Sequence, residues 1–419
     1  MKERICVLAY SGGLDTSAIV PWLHEKGWSV HALLVNVGQD EDFEVARRRA
    51  FELGAAGVHV HDAREEMLAE ACAPATALAA VYEGRYRLGT ALARPFIAAA
   101  QVSLARALGA SAVAHGATGK GNDQVRFEFA YRTLAPELET IAPWKEWSFT
   151  GRKDLIDYLA SRGHAMDFPE QKTYSLDENL WHLSIEGGEL EDPGAVLDVP
   201  DLLQRIAGRF YADADPAEAT RPVTLRFERG VPCGIDGRDA SFGEIVAELN
   251  RRYRLAPFAW DLVLENRFTG IKSRGLYVNP AARVLHEAVG TLARAALPEP
   301  AFRQWVAAGE AYADLLYRGE WFSSVRDSVL AGAEPLTRSL TGEITLAPSP
   351  GLHVAKLDVP HGLFTRERAS FETEAADPTA ANGYIALQWQ RRNGGSDESA
   401  VESEERAESF LRGVAPLPR

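Results

Sequence analysis

The sequence predicts an α/β protein. Its first 166 residues read as a doubly wound parallel sheet with helices on both faces, followed by an α+β region and a short terminal arm. Three observations predict it. Apolar runs alternate with helical runs through the first third of the chain. Glycine-rich loops follow two of those runs, after Tyr10 and after His115. Beyond residue 167 the alternation gives way to separate strand and helix segments. Strand, loop, helix and strand at this spacing build parallel βαβ units. Such sheets bind ligands at the carboxyl ends of their strands, where both loops fall.

Ile5–Tyr10 reads as a buried strand broken by Ser11, Gly12 and Gly13. Thr16–Lys26 follows as a helix ending near Gly27. Ser29–Val37 is the next strand, with Val30, Leu33, Leu34, Val35 and Val37 as its apolar content. Phe43–Leu53 is helical and closes at Gly54, and Gly57–His61 is a short strand. Pro95–Gly109 reads as a helix, Ala112–His115 as a strand, and Arg152–Gly163 as the helix that closes this region. Asp167–Thr173 reads as a linker. Beyond it, Val223–Glu228 and Trp260–Val263 are strands, and Phe242–Tyr253, Ala281–Ala296 and Arg303–Arg318 are helices. After Pro335 the reading is β-rich, with Gly342–Leu346 and Leu352–Leu357, then a short helix at Thr365–Phe371. Gly394–Glu408 is polar and acidic, the composition of a mobile tail. The expected divisions are 1–166, 167–361, an arm at 362–392 and a tail at 393–419.

The 419 residues, 46% hydrophobic and 25% charged, suffice for two domains with substantial cores. A net charge of -14 disfavours extended nucleic-acid binding but leaves room for a local basic pocket. Cys6, Cys72 and Cys233 have neither metal-ligand nor redox spacing, which fits a reduced, cytoplasmic compartment. No apolar run is long enough to cross a membrane, and Ile5–Tyr10 is too short for a signal peptide. His24, His31, His59 and His61 read as structural, and Trp144 and Trp147 as core or interface aromatics.

The strongest local signal is the string AYSGGLDTS, Ala9 to Ser17. Two glycines let the backbone pass close to a ligand, and the helix that follows presents free N–H groups to an anion. Ser11, Thr16 and Ser17 add hydroxyls. The loop has neither the lysine and spacing of a Walker A motif nor the glycine spacing of a dinucleotide fingerprint. The second signal is HGATGKGNDQVRFE, His115 to Glu128. It combines backbone donors, the cation Lys120 and the Asn122–Asp123 pair ahead of a helix carrying Arg126 and Glu128. That lining suits a zwitterionic amino acid beside a nucleotide.

The first string resembles the pyrophosphate (PP) loop of the ATP pyrophosphatase superfamily, and both strings are similar to the signatures of argininosuccinate synthases. Three further stretches agree with that family: YRLGTALARP (Tyr86–Pro95), SLDENLWHLS (Ser175–Ser184) followed by EGGELEDP, and ENRFTGIKSRG (Glu265–Gly275) leading to Tyr277. The resemblance runs from near residue 4 to near residue 392 and is weakest towards the C-terminus. It implies a PP-loop nucleotide-binding domain, a synthetase domain and an oligomerisation arm that wraps neighbouring subunits of a homotetramer. It also implies that ATP touches Ala9, Tyr10, Ser11, Gly12, Gly13, Leu14, Asp15, Thr16, Ser17, Val35 and Gly116. Citrulline is then held by residues matching Tyr86, Thr90, Ala91, Asn122, Arg126, Ser175, Ser184, Glu265 and Tyr277. Aspartate is held by Thr118, Asn122 and Asp123, with Asp123 orienting its amine or accepting its proton. Ala91 departs from the serine common in the family, and Leu363–Phe371 departs from the usual arm.

The implied reaction has two steps. The ureido oxygen of L-citrulline attacks the α-phosphorus of ATP, and L-aspartate then displaces AMP. Mg2+ arrives on the ATP, with no protein metal ligands, no nucleic acid and no membrane involved. A thiolase or lysidine-forming enzyme acting on transfer RNA shares the loop. The former needs catalytic cysteines, and both need an RNA-binding surface. A silent ATP sensor would have lost the loop's polar groups, yet Ser11, Asp15, Thr118, Lys120, Asn122 and Asp123 are present.

Overall fold

The computed structural model describes residues 3–118, 121–164, 166, 168, 173–212, 214–349, 351–369 and 379–393. Gly119 and Lys120 of the second loop lie outside the described residues. So do most of the expected linker, Ser370 and Phe371, and the tail from residue 394. Met1–Gly362 is one compact unit and Leu363–Arg419 a second.

In the first unit, strands β1 (Ile5–Ala9), β2 (Ser29–Asn36), β3 (Gly57–Asp62), β4 (Ala112–Ala114) and β5 (Glu139–Ile141) form one sheet in the order β3-β2-β1-β4-β5. All its pairings are parallel. Helices α1 (Leu14–Glu25), α2 (Phe43–Glu52), α3 (Gly89–Leu108), α4 (Asn122–Leu134) and α5 (Arg152–Ser161) cover it. Alternation along the strands decides which helix covers which face. Cys6, Leu8, Val30 and Leu34 pack into one core with residues of α1, α2 and α5, and Trp144 and Trp147 lie against it, partly buried. Val7, Leu33, Val35 and Val113 point the other way, into a core shared with α3 and α4. That second core continues without a break into the rest of the unit, through Tyr253, Leu285 and Tyr312.

Strands β6 (Tyr174–Asn179), β7 (His182–Gly187), β8 (Val223–Glu228), β9 (Val231–Ile235), β10 (Arg238–Asp239), β11 (Trp260–Asn266), β12 (Lys272–Val278), β13 (Gly342–Ala347) and β14 (His353–Asp358) build two further sheets. Their orders are β11-β12-β7-β6 and β10-β9-β8-β13-β14, and every pairing is antiparallel. Helices α6 (Phe242–Tyr253), α7 (Pro280–Ala296), α8 (Glu299–Tyr317) and α9 (Ser324–Thr337) are the long helices of this half, and shorter ones such as Val199–Ile206 join them. A capping box of Ser241 and Glu244 starts α6.

Several expected bounds move. Helix α3 starts at Gly89 and not at Pro95, so Pro95 lies inside it. Its missing N–H costs one helical bond, and burial of Ala91, Leu92 and Ala93 in the core holds the turn nonetheless. Strands β6, β7 and β12 and helix α9 were not expected. Pro335 sits in the last turn of α9 instead of opening a β region. In the second unit the short terminal helix is Arg366–Ala369, and an unexpected helix spans Ala380–Asn393.

Candidate active site

The order β3-β2-β1-β4-β5 reverses direction between β1 and β4, which makes a crevice at their carboxyl ends. A cleft of about 870 Å³ opens there, lined by both glycine loops and by one face of the β11-β12-β7-β6 sheet. Its two ends differ in construction.

At the first end the chain leaves β1 through Tyr10 and turns at Gly12, whose φ of +72° is a left-handed conformation suited to glycine. A Cβ at Gly12 would meet Ala46 Cβ at 3.0 Å, because α2 lies against the loop. Gly13 differs. Its backbone is extended, and an added Cβ would meet only Ser11 Oγ, at 3.4 Å. Thr16 Oγ1 accepts from Ser11 N at 3.3 Å, lies 3.2 Å from Ser11 Oγ and donates to the Gly13 carbonyl at 3.3 Å. These bonds fold the loop over the start of α1, whose first N–H groups face the cleft. Gly116 of the second loop comes close, since a Cβ there would meet Thr16 Cγ2 at 3.0 Å. Arg49 of α2 reaches over the loop and donates from Nη1 to the Gly12 carbonyl.

The other end is a network of charge that is buried at Arg126 and half-buried at Arg94, Asp123 and Asp177. Asp123, in the first turn of α4, accepts from Arg94 Nε at 3.0 Å, from Arg94 Nη2 at 2.8 Å and from Arg126 Nη1 at 2.9 Å. Burial raises its pKa, but Arg94 and Arg126 outweigh that and hold the carboxyl below its usual range. Arg94 also donates to Asp177. Thr90 Oγ1 donates to Asp177 at 3.1 Å and lies 3.1 Å from His182 Nε2. Burial depresses His182 to about 4, so its imidazole is neutral at pH 7. Arg126 is itself braced, with Nε and Nη2 donating to the Tyr317 carbonyl at 3.1 and 3.0 Å.

The antiparallel sheet supplies the floor. Leu183, Ile185, Leu276 and Val278 pack away from the cleft, against the helix Val199–Ile206. Ser184 and Tyr277, one residue out of phase with them, therefore face it. Register places Asp177, Ser184 and Tyr277 side by side across three strands. Glu265 is 3% exposed. Its Oε1 accepts from Ser273 Oγ at 3.3 Å, and Arg267 Nε lies 3.7 Å away. Its Oε2 has no partner among the described residues, and neither does Asn122 Oδ1. Burial pushes the Glu265 carboxyl above its usual range, with Arg267 opposing. Buried acceptors left unpaired cost free energy unless a ligand supplies the donor.

Nearly all the residues proposed from sequence therefore line one cleft. Ser17 and Ala91 do not. Ser17 is buried with its hydroxyl 3.3 Å from the Tyr10 hydroxyl, and Ala91 faces the core. Sequence reasoning missed Arg49, Arg94, Asp177, Arg267 and Tyr317 as cleft residues. Alternating polar residues opposite Leu183 and Ile185 were the signal for a strand with one functional face. Among the described residues no three His, Cys, Asp or Glu side chains group so as to hold a metal ion, and no helix is long and apolar enough to cross a membrane.

Comparison with known proteins agrees with this architecture. Residues 5–165 match the arginosuccinate synthase N-terminal HUP domain, and residues 174–392 match the arginosuccinate synthase C-terminal domain. The argininosuccinate synthase of Caldicellulosiruptor saccharolyticus is 39% identical over 392 residues, 92% of this chain and 95% of that protein. That of Pelotomaculum thermopropionicum is 41% identical, covering 91% of this chain and 94% of its own. That of Koribacter versatilis is 42% identical, covering 92% and 95%. With both domains matched in order and relatives aligned nearly end to end, the chain belongs to the argininosuccinate synthase family, ATP-dependent ligases that join citrulline to aspartate in arginine biosynthesis.

Proposed function

We propose that the cleft runs this ligation in two halves, with ATP at the glycine-loop end and the two amino acids at the buried-charge end. One observation carries the placement. Glu265 Oε2 and Asn122 Oδ1 line the cleft as buried acceptors without partners among the described residues, and Arg267 and Arg126 act on Glu265. An α-ammonium group satisfies Glu265, and an amide or amino donor satisfies Asn122. Arg126 keeps guanidinium donors beyond those given to Asp123 and Tyr317, which suits a citrulline carboxylate beside Tyr86, Ser175, Ser184 and Tyr277. Aspartate takes Thr118, Asn122 and Asp123.

The chemistry follows from that placement. The ureido oxygen of citrulline attacks the α-phosphorus, and pyrophosphate leaves into the Ser11–Ser17 loop and the start of α1, where negative charge accumulates. The aspartate amine then attacks the adenylated carbon and AMP departs. Asp123, held ionised by Arg94 and Arg126, orients that amine by accepting its hydrogen bond. A carboxyl with a depressed pKa is a weak base, so orientation is favoured over proton abstraction. Mg2+ rides on the triphosphate and supplies charge neutralisation there. Asp15 lines that end with the oxygen chemistry this ion takes.

The proposed division is a nucleotide-binding domain at 1–166, a synthetase domain at 167–361 and an arm at 362–392, acting in a cytoplasmic homotetramer. The helix Ala380–Asn393 leaves Tyr384, Ile385, Leu387 and Trp389 exposed, an apolar surface of the kind that another subunit covers. The decisive experiment is exchange of labelled pyrophosphate into ATP. It is expected with citrulline present and aspartate absent. No citrulline-dependent exchange in protein that binds ATP would sink this function. Light scattering tests the assembly, and a monomeric full-length protein would rule the tetramer out.

A further inference from the structure

The first loop carries no cation, yet pyrophosphate is the most charged species the cleft has to hold. Asp15, Asp40, Glu41 and Asp42 line the same end and add negative charge. Besides the Mg2+ that ATP would bring, backbone amides and hydroxyls give a weak counterweight to a polyanion beside four carboxylates. Arg152 also lines the cleft, and three further arginines are committed to protein partners. Arg94 and Arg126 are tied to Asp123, and Arg267 donates to Glu186 Oε2 at 2.8 Å.

Arg49 is differently placed. It projects from α2 into the cleft and donates from Nη1 to the Gly12 carbonyl, at the one left-handed residue of the loop. Its guanidinium lies over the Phe168 ring, 4.8 Å from the centroid, which holds it from the opposite side. Among the described residues its remaining donors bond no protein group and no carboxylate pairs with it. A half-buried guanidinium fixed by a carbonyl and a ring face, with donors left over, is prepared for an anion.

We infer that Arg49 is the cation that receives the leaving pyrophosphate, making direct contact with its oxygens, a role normally filled by a lysine within the loop in other phosphate-binding loops. This rests on the reading of the first loop as the ATP site. Arginine outside the loop has a physical advantage here. It neutralises pyrophosphate while its bond to Gly12 sets the loop's shape, so charge and backbone geometry are fixed together.

Two variants separate charge from bracing. Arg49→Gln removes the charge, and Arg49→Lys keeps it. Arg49→Gln is expected to lower citrulline-dependent pyrophosphate exchange on the order of a hundredfold. It should also weaken binding of inorganic pyrophosphate in calorimetric titration by roughly tenfold or more. KM for citrulline should stay at the parent value, and Arg49→Lys should recover most of both losses. Equal losses in Arg49→Gln and Arg49→Lys, with equally lowered thermal midpoints, would show that Arg49 only braces the loop. A Gln variant matching the parent in pyrophosphate affinity would overturn the inference outright. The titration needs no turnover. A parent that binds pyrophosphate through Arg49 yet shows no exchange would therefore count against the proposed function and not against Arg49.

Discussion

The two ends of the cleft handle charge by opposite means. The end proposed to take phosphate is built from backbone, glycine and short hydroxyl side chains within six residues, Ser11 to Thr16, with one arginine from α2 laid over it. The amino-acid end is built from long charged side chains on α3, α4, β6 and β11, locked to one another before any substrate arrives. A polyanion of tetrahedral groups is met by many weak, convergent donors. Two zwitterions that must be told apart are met by few strong, oriented charges. The phosphate end therefore depends on local backbone shape, whereas the other end fails as a network.

The largest effect should come from breaking that network. Arg126→Ala removes a partner of Asp123 and both donors to the Tyr317 carbonyl. Loss of one member of a buried charge cluster costs about 3–5 kcal/mol, and a citrulline misplaced by about 1 Å loses roughly a hundredfold in rate. Both exchange and argininosuccinate formation should fall. Exchange at the parent rate in a folded Arg126→Ala would reverse the assignment of the two amino-acid pockets.

Next comes the glycine loop, where the two glycines should fail differently. Gly13→Val should fold normally, because its extended backbone accepts a Cβ, and should lose Mg-ATP binding in calorimetry. Gly12→Ala should instead lose stability, by about 1–3 kcal/mol for a non-glycine residue in the left-handed region, with Ala46 in the way. A Gly13→Val protein that binds ATP as well as the parent contradicts the phosphate reading.

Asp123 sharpens the comparison further. Its carboxylate, proposed to serve aspartate, also holds Arg94 and Arg126, so its removal in Asp123→Ala would disturb both steps. Asp123→Asn keeps the shape and some of the bonds. It should retain much of the exchange reaction while argininosuccinate formation drops by roughly tenfold or more. Equal loss of both would make Asp123 purely a brace for Arg126.

The smallest effect is one of pH. Burial lifts the Glu265 pKa, so its carboxylate takes up a proton at higher pH than an exposed glutamate does. In the proposed placement, citrulline's ammonium needs the ionised form. Affinity should therefore be full above the raised pKa and fall as pH drops through it, read as a rising KM for citrulline. Glu265→Gln should raise KM and flatten that profile. A profile unchanged in Glu265→Gln would mean that another group receives the ammonium.

How much of this was legible differs between the ends in the same way. AYSGGLDTS could be read as a phosphate loop because strand, turn and helix start are contiguous in sequence, and the glycines have a local reason to be there. The alternation of strands and helices over the first 166 residues is likewise local and held in the structure. Helix α3 was mis-started at Pro95, because propensity weighs a proline more than it weighs burial of Ala91 and Leu92. Strands β6 and β7 were missed because their polar residues face a cleft, which in sequence looks the same as facing solvent.

By itself, the sequence determined the parallel-sheet half and the place of the two glycine loops at the carboxyl ends of its strands. It did so because short-range periodicity and turn chemistry act within a few residues. Only the tertiary structure decided the rest. It joined Asp123 to Arg94 and Arg126, and brought Asp177 within reach of Thr90. It left Glu265 Oε2 buried without a partner, turned Ser17 and Ala91 away from the cleft, and laid Arg49 over Gly12. Charge pairing and burial are set by distance in space, and residues as far apart in the chain as Arg126 and Tyr317, 191 positions, meet here only once the sheets have closed around the cleft.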